Sequence, residues 1–471
     1  MAGKSRSAAS VLTTCSLLFC FSANAEATLE DAWSLAYRNN PSLQAKRAEL
    51  RATDEAVSQA LSHWRPSIDA TGSAGKTNQK IPSLEPFGTE DFNGTTRSYG
   101  VQATQPLFRG FRTIAETKAA EQQVLSERAK LEDAEQQLFL DTASAYLSVL
   151  RDTSILDMMR DNENILQQKL QETRVRHNAG ELTSTDVRQS ESRLARARVT
   201  RFQVENSLTQ DRAAYKRLVG EMPASLKPPR LELHPQQGLE DIFHRAAMQN
   251  PNVTASRFAV EQAKAEIDLN KGSLLPEVDL VGNTGRIWGQ SGLLPGEQET
   301  SQVLVQVTMP LYRSGADYSR TRAAEQVLTQ REMELDDSRD KVHESANNAW
   351  QALETAQAAL DADRTEIEAA GSALAGVKEE SKVGTRTTLD VLNAEQELLD
   401  AKVDQAKSQH DKDMAVLQIE AAAGELTAEH LKLRAATYDP RLHYEDVRSQ
   451  WIGFSKDDSR YGVPSSHTPA Q

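Results

Sequence analysis

Along most of the chain, apolar residues return every seven positions, the repeat that keeps one face of a supercoiled helix against a partner. Val124, Leu131, Leu138 and Ala145 form one such run, and Leu328, Leu335, Val342 and Ala349 another. Shorter seams pass through Val187, Leu194, Leu208 and Tyr215, and through Ala197, Val204 and Leu218. Many seam positions are Ala or polar, and Arg201, Gln405 and Lys412 interrupt them. The pattern reads as an antiparallel coiled coil whose small residues also allow close, curved walls of many helices. In four places the period drops to two: residues 67–74, 99–105, 277–285 and 302–309. There Ile68, Ala70 and Gly72 alternate with Asp69 and Thr71, and Val303, Val305 and Val307 with Gln302, Gln306 and Thr308. Half-buried soluble strands and membrane-barrel strands share this signature. Two hairpins leave open edges, which lipid does not tolerate, so strands that span a membrane require several chains to close one barrel.

The whole pattern occurs twice. Leu29-Glu30-Asp31 with Asn40-Pro41 recurs as Leu239-Glu240-Asp241 with Asn250-Pro251, an offset of 210 that also carries Pro66, Gly72 and Gly75 onto Pro276, Gly282 and Gly285. From Val101 on the offset is 204, the six lost residues falling between Gly75 and Val101, and it maps Pro106-Leu107-Phe108-Arg109 onto Pro310-Leu311-Tyr312-Arg313 and Gly180, Thr183, Asp186, Glu191 and Gly220 onto Gly384, Thr387, Asp390, Glu395 and Gly424. No proline falls within 110–220 or 314–424, as helix interiors require. The first repeat, 26–220, is therefore expected to hold strands at about 66–77 and 98–107 and long helices at about 111–178 and 184–219. The second, 239–424, is expected to hold strands at about 276–287 and 301–311 and helices at about 315–381 and 388–423. A proline-rich linker, 221–238, joins them, and 425–471 is a C-terminal region whose polar tail is expected to be disordered. A helix over 111–178 is roughly 100 Å long at 1.5 Å per residue and needs a partner at every turn. Gly180 and Gly384 sit where a helix closes in the left-handed conformation, and Thr183 and Thr387 can cap the next one.

Composition narrows the class. Apolar residues are 38% and aromatics 5%, too few for one large globular core, and a net charge of −14 argues against a nucleic-acid partner. Residues 1–25 read as an export signal, with Lys4 and Arg6, an apolar stretch, and Ala23-Asn24-Ala25 as the cleavage site. Losing Lys4 and Arg6 takes the charge from −14 to −16. Cys15 and Cys20 leave with the signal, and Phe19 before Cys20 is unsuited to lipid attachment. With no apolar run of helix-spanning length remaining, the addresses left are periplasm, medium, or an outer membrane entered as β-structure.

Chemistry is sparse. Residues 70–77 approximate a phosphate loop, but Pro82 and Pro86 follow where a helix should open, and the repeat copy ends Gly285-Arg286-Ile287. The nine histidines show no metal-ligand spacing, and no nucleophile set announces itself, so no enzyme, cofactor or metal is expected. Thr183 with Asp186, and Thr387 with Asp390, each read as a helix cap whatever else they do.

The duplication, the Pro-Leu-Phe-Arg-Gly and Pro-Leu-Tyr-Arg-Ser-Gly turns, and above all Val383-Gly384-Thr385-Arg386-Thr387 with Asp390-Val391-Leu392 resemble the TolC family of outer-membrane channels. The resemblance covers about 28–424, and Tyr438-Asp439-Pro440 and Trp451-Ile452-Gly453 are similar to TolC-like tails. It implies a mainly α fold with β. Long antiparallel coiled-coil helices and two β-hairpins trimerise into a twelve-stranded transmembrane barrel on a helical periplasmic tunnel. It implies an exit duct in the outer membrane of a Gram-negative bacterium, with outer-membrane lipid, a periplasmic adaptor and an inner-membrane ABC, RND or MFS pump as partners in efflux or type I secretion. Asp390 is then an acidic ring at the constriction, where repulsion between copies is expected to raise its pKa, and Arg386 a latch acting on Thr185 and Asp186 of a neighbouring helix. Asn393 stands where relatives carry a second ring aspartate, and Ser381 where they carry a gate tyrosine. The alternative is a periplasmic coiled-coil adaptor or scaffold; a secreted hydrolase lacks a site.

Overall fold

A computed structural model of the protein describes residues 27–82, 89–231, 238–289, 296–433 and 437–454. The expected signal segment with both cysteines, part of the linker and the last residues of the tail lie outside the described residues.

The Asn-Pro recurrences mark helix junctions. Helix α1 (Leu29–Asn39) opens on a Thr28–Asp31 capping box, and α2 (Pro41–Ser62) follows at once, with Asn40 accepting from the amides of Ser42 and Leu43 and Pro41 pre-set for the first turn. Strands β1 (Ser67–Pro82) and β2 (Thr89–Arg109) come next, and then the proline-free stretch forms α3 (Arg112–Asn178) and α4 (Ser184–Val219). The second repeat supplies α5 (Leu239–Gln249), α6 (Pro251–Gly272), β3 (Glu277–Trp288), β4 (Glu297–Thr308), α7 (Ala316–Lys382) and α8 (Thr388–Ala422).

The second short helix of each repeat is stacked end to end on the second long-hairpin arm. Asn40 Nδ2 donates to the Leu218 carbonyl, and Asn250 Nδ2 to that of Ala422, both at 3.2 Å. These bonds satisfy terminal carbonyls of α4 and α8 that have no partner inside their own helix. Helix α2 thus continues the line of α4, and α6 that of α8, while α3 and α7 run past both. The main core sits at the first of these junctions. Trp33, Tyr37, Phe139, Tyr146 and Tyr215 are buried there, with Trp33 Nε1 donating to the Phe139 carbonyl at 2.9 Å and the single Tyr146 hydroxyl proton within reach of the carbonyls of both Ala27 and Lys227. The second repeat fills the equivalent place with smaller groups, Ile242, Ala346, Ala349, Val416 and Ile419. Farther down, Ile155 and Met159 of α3 pack against Leu399 and Val403 of α8, joining the two hairpins. The seam interruption at Arg201 is an ion network, with Glu163 of α3 accepting at 2.7 Å from Arg201 and at 3.0 Å from Arg198.

All four strands form one antiparallel sheet in the order β1-β2-β3-β4, so the central pairing, β2 with β3, joins the two repeats. β1 and β2 are longer than the expected 66–77 and 98–107, because ladder hydrogen bonding continues through their polar upper sections regardless of side-chain alternation. β4 begins before the expected 301 and stops short of 311, where Pro310 has no amide to donate. Residues 70–77, the phosphate-loop lookalike, lie inside β1 and open no helix.

The C-terminal region contains an element absent from the sequence reading: α9 (Arg441–Arg448), packed along α2. Its eight residues carry no heptad, and its buried side chains, His443 and Val447, find partners only in the folded chain.

Candidate pore constriction

Both long hairpins turn the same way. Gly180 and Gly384 take φ of +81° and +82°, and the following amides, of Glu181 and Thr385, donate back to the carbonyls of Arg176 and Glu380. A Cβ at either glycine meets nothing within 4 Å, so the requirement is for left-handed backbone alone. Gly384→Ala is expected to cost about 1–2 kcal/mol locally. Hydrogen exchange should register this as a roughly tenfold loss of protection at the Thr385 amide, with Gly384→Asn milder.

Past each turn a capping box opens the returning helix. The Thr183 amide and hydroxyl donate to Asp186 Oδ2 at 2.9 and 2.7 Å, and those of Thr387 to Asp390 Oδ2 at 2.9 and 2.8 Å. The backbone N–H of Thr387, then its hydroxyl, and then the nearby Arg386 charge hold the Asp390 carboxyl below the usual carboxylate range. Within one chain the cap therefore opposes the expected rise from repulsion. Asp186 is lowered likewise, by the Thr183 hydroxyl first, its amide second and His177 third. In both cases Oδ1 has no part in the cap, so capping leaves each carboxylate an oxygen for other work.

Arg386 does not reach Asp186 or Thr185 of its own chain. Its Nε donates to Glu380 Oε2 at 2.8 Å, across the turn. Thr185 is exposed on the first turn of α4, and the half-buried Ser381 takes part through its carbonyl, which accepts from the Gly384 amide. Asn393, one turn beyond Asp390, accepts at 2.6 Å from Arg193 Nη2, which ties α8 to α4. Arg193 was not legible in sequence, because nothing in its own helix marks it. The hairpin ties could have been found: Arg174 with Glu191, at 2.8 Å, and Lys378 with Glu395, at 2.9 Å, are the same pair repeated at the 204 offset. Below them Leu166, Leu170, Leu194, Ala197 and Leu392 pack the tips together.

At the other end, direct pairing places Ile68, Ala70, Val101, Ala103, Leu280, Gly282, Val303, Val305 and Val307 on one face of the sheet. Val303, Val305 and Val307 are 76%, 60% and 63% exposed, and the opposite face carries Gln102, Thr104, Asn283, Gln302 and Gln306. The Tyr99 and Trp288 rings lie 5.3 Å apart toward the top of the apolar face, and Arg286, directly opposite Tyr99 and one same-face position below Trp288, pairs with Glu297 and Glu299. Between sheet and tips, α3, α6 and α7 enclose one side of a polar hollow of about 750 Å³ lined by Gln123, Lys130, Gln137, Glu266, Glu334 and Lys341. Among the described residues no group of side chains could hold a metal ion, and no helix is long and apolar enough to cross a membrane.

An exposed apolar sheet, mounted on helices of roughly 100 Å whose hairpin tips gather capped acids, is the build of an outer-membrane channel protein. The chain belongs to the outer membrane efflux protein family, which it matches over residues 32–221 and 242–425. It is 34% identical over 433 residues to outer membrane efflux protein BepC of Brucella suis biovar 1, covering 92% of this chain and 93% of that one. It is 25% identical over 407 residues to outer membrane protein TolC of Vibrio cholerae, covering 85% and 91%. Its fold matches the CmeC outer membrane channel of Campylobacter jejuni with a TM-score of 0.76 at 14% identity, covering 89% of each chain. The MtrE channel of Neisseria gonorrhoeae, in its open state, matches at 0.69 and 19% identity, covering 84% and 88%. The protein is thus a TolC-like exit duct of the efflux or type I secretion kind, from a family of channels, and the adaptor alternative falls away.

Proposed function

We propose that three chains close one twelve-stranded barrel through the outer membrane, with the helices forming a periplasmic tunnel that opens when a periplasmic adaptor and an inner-membrane pump dock. The observation that carries this reading is the sheet: among the described residues β1 pairs only with β2, and β4 only with β3, yet one face is apolar and exposed. Lipid forbids such edges, so β1 of one chain must pair with β4 of the next. Ten residue steps from Val278 to Trp288 rise about 25 Å at barrel tilt, the height of a membrane band. Purification in detergent should give a trimer; a monomer or dimer would contradict it.

Trimer symmetry brings Asp390 of each chain to one axis at the closed tip, where the cap-free Oδ1 atoms favour cations. Asp390→Asn is expected to lower cation selectivity severalfold, read as reversal potential in a salt gradient across planar bilayers. Unaltered selectivity with reduced thermal stability would leave Asp390 a cap only. Asn393→Asp should strengthen multivalent block by less than a free second ring, because the new carboxylate falls beside Arg193. Arg386→Ser frees Glu380 and removes the latch toward Asp186 and Thr185 of the neighbouring chain, and should raise leak conductance.

A further inference from the structure

The described C-terminal segment climbs one side of the helical wall. Its Tyr438 amide donates to the Tyr37 hydroxyl at 3.0 Å, His443 Nδ1 lies 3.0 Å from Asp54 Oδ2, and the Gln450 carbonyl accepts from Ser58 and, at 2.8 Å, from Arg65. Its partners thus advance from α1 along α2 and on to Arg65, just before β1. On α3 it touches Glu121, through Arg448 at 2.9 Å, and Arg128, which stacks on Tyr444. Those two positions, seven apart, lie about half a turn round α3 from Gln123, Lys130 and Gln137, which line the polar hollow. The hollow and the C-terminal segment are therefore on opposite sides of the wall.

The segment ends by presenting Trp451, Ile452 and Phe454, which are 66%, 93% and 92% exposed. They arrive at the base of the sheet, since Arg65 lies 4.9 Å from the Trp451 ring and the neighbouring Trp64 carbonyl accepts from Gln105 of β2 at 2.9 Å. Leu107, Phe111 and Ile114, at the same junction of strand and helix, are exposed as well. An aromatic ring beside a guanidinium, next to aliphatic groups and level with the foot of an apolar strand face, is the composition of a membrane interface. The long Arg65 side chain can keep its charge in water while the ring enters lipid.

We propose that Trp451, Ile452 and Phe454 form an interfacial anchor seated in the periplasmic leaflet of the bilayer around the barrel. The inference rests on the reading that the sheet spans the outer membrane, and Trp288 reports on that reading separately.

The test uses the full-length protein in phosphatidylethanolamine–phosphatidylglycerol vesicles with brominated acyl chains. The chain has five tryptophans, so the emission of each probe is obtained by difference from Trp451→Phe and Trp288→Phe. The Trp451 component should be quenched about twofold or more by brominated lipid and be protected from aqueous iodide. In an Ile452→Ser, Phe454→Ser double variant that still forms the native oligomer, that component should shift to the red and lose its lipid quenching. If Trp288 is quenched by lipid while Trp451 answers only to iodide, the anchor is wrong and the barrel reading stands. Protection of Trp451 from both quenchers means that protein covers it and also overturns the anchor. If neither tryptophan is quenched by lipid, the membrane-spanning reading fails with it.

Discussion

Arg47→Ala is expected to be the most destabilising single truncation in the helical part of the protein, costing about 3–5 kcal/mol at pH 8. The Arg47 guanidinium is buried between two rings, 4.3 Å from the centroid of Tyr37 and 4.9 Å from that of Tyr438, with Glu135 Oε1 3.7 Å from Nη2. Nε and Nη2 have no hydrogen-bond partner among the described residues, so stacking and the Glu135 charge carry the site. Truncation removes both ring contacts, leaves Glu135 without its counter-charge, and loosens Tyr438 and the C-terminal segment behind it. Arg47→Lys keeps the charge without the planar stacking and should fall between. Thermal unfolding followed by circular dichroism in detergent measures the difference. A loss below about 1 kcal/mol would show that the cation merely fills space.

Stability should also fall as pH rises from about 5 to 8. Burial pushes Glu135 from 4.5 up to about 7, against the opposing pull of Arg47, and burial followed by Glu425 pushes Glu420 to about 7. A folded-state pKa above the unfolded value means that the folded chain holds the proton more tightly. That contribution is fully present below about 4.5 and is lost as pH rises through about 7. It amounts to roughly 3 kcal/mol for each group. Capped or ion-paired acids such as Asp186, Asp390, Glu163 and Glu191 are shifted the other way, so their contribution is lost only at lower pH, which sets the acid limit. Glu135→Gln with Glu420→Gln should flatten the slope between pH 5 and 8. An unchanged slope in the double variant would assign it to other groups. The two effects are coupled: near pH 6 Glu135 is mostly protonated, so Arg47→Ala should cost less there than at pH 8.

The tips show how far local sequence reaches. Thr183 with Asp186 and Thr387 with Asp390 are capping boxes in which every bond spans three residues, and Gly180 and Gly384 answer a demand of the turn itself. Such features are readable because the partners are written next to each other. What Arg386 does was not readable in the same way. It lies within reach of Glu380 in its own chain, and the proposed contact with Asp186 of a neighbouring chain would exist only in an assembly.

The amino-acid sequence by itself determined the duplication, the placement of four strands and four long helices, and the turn chemistry, because each depends on periodicity or on residues a few positions apart. Asn40 and Asn250 were legible as members of the repeat, yet their bonds to Leu218 and Ala422, which stack short helices on long ones, span 178 and 172 positions. Only the tertiary structure decided those junctions, the Arg193–Asn393 tie, the Arg47 cation between Tyr37 and Tyr438, and the course of the C-terminal segment up α2. The physical reason is the same for each. Such groups satisfy charges and hydrogen bonds across distances in sequence where no period links the partners, so their pairing exists only once packing has brought the elements together.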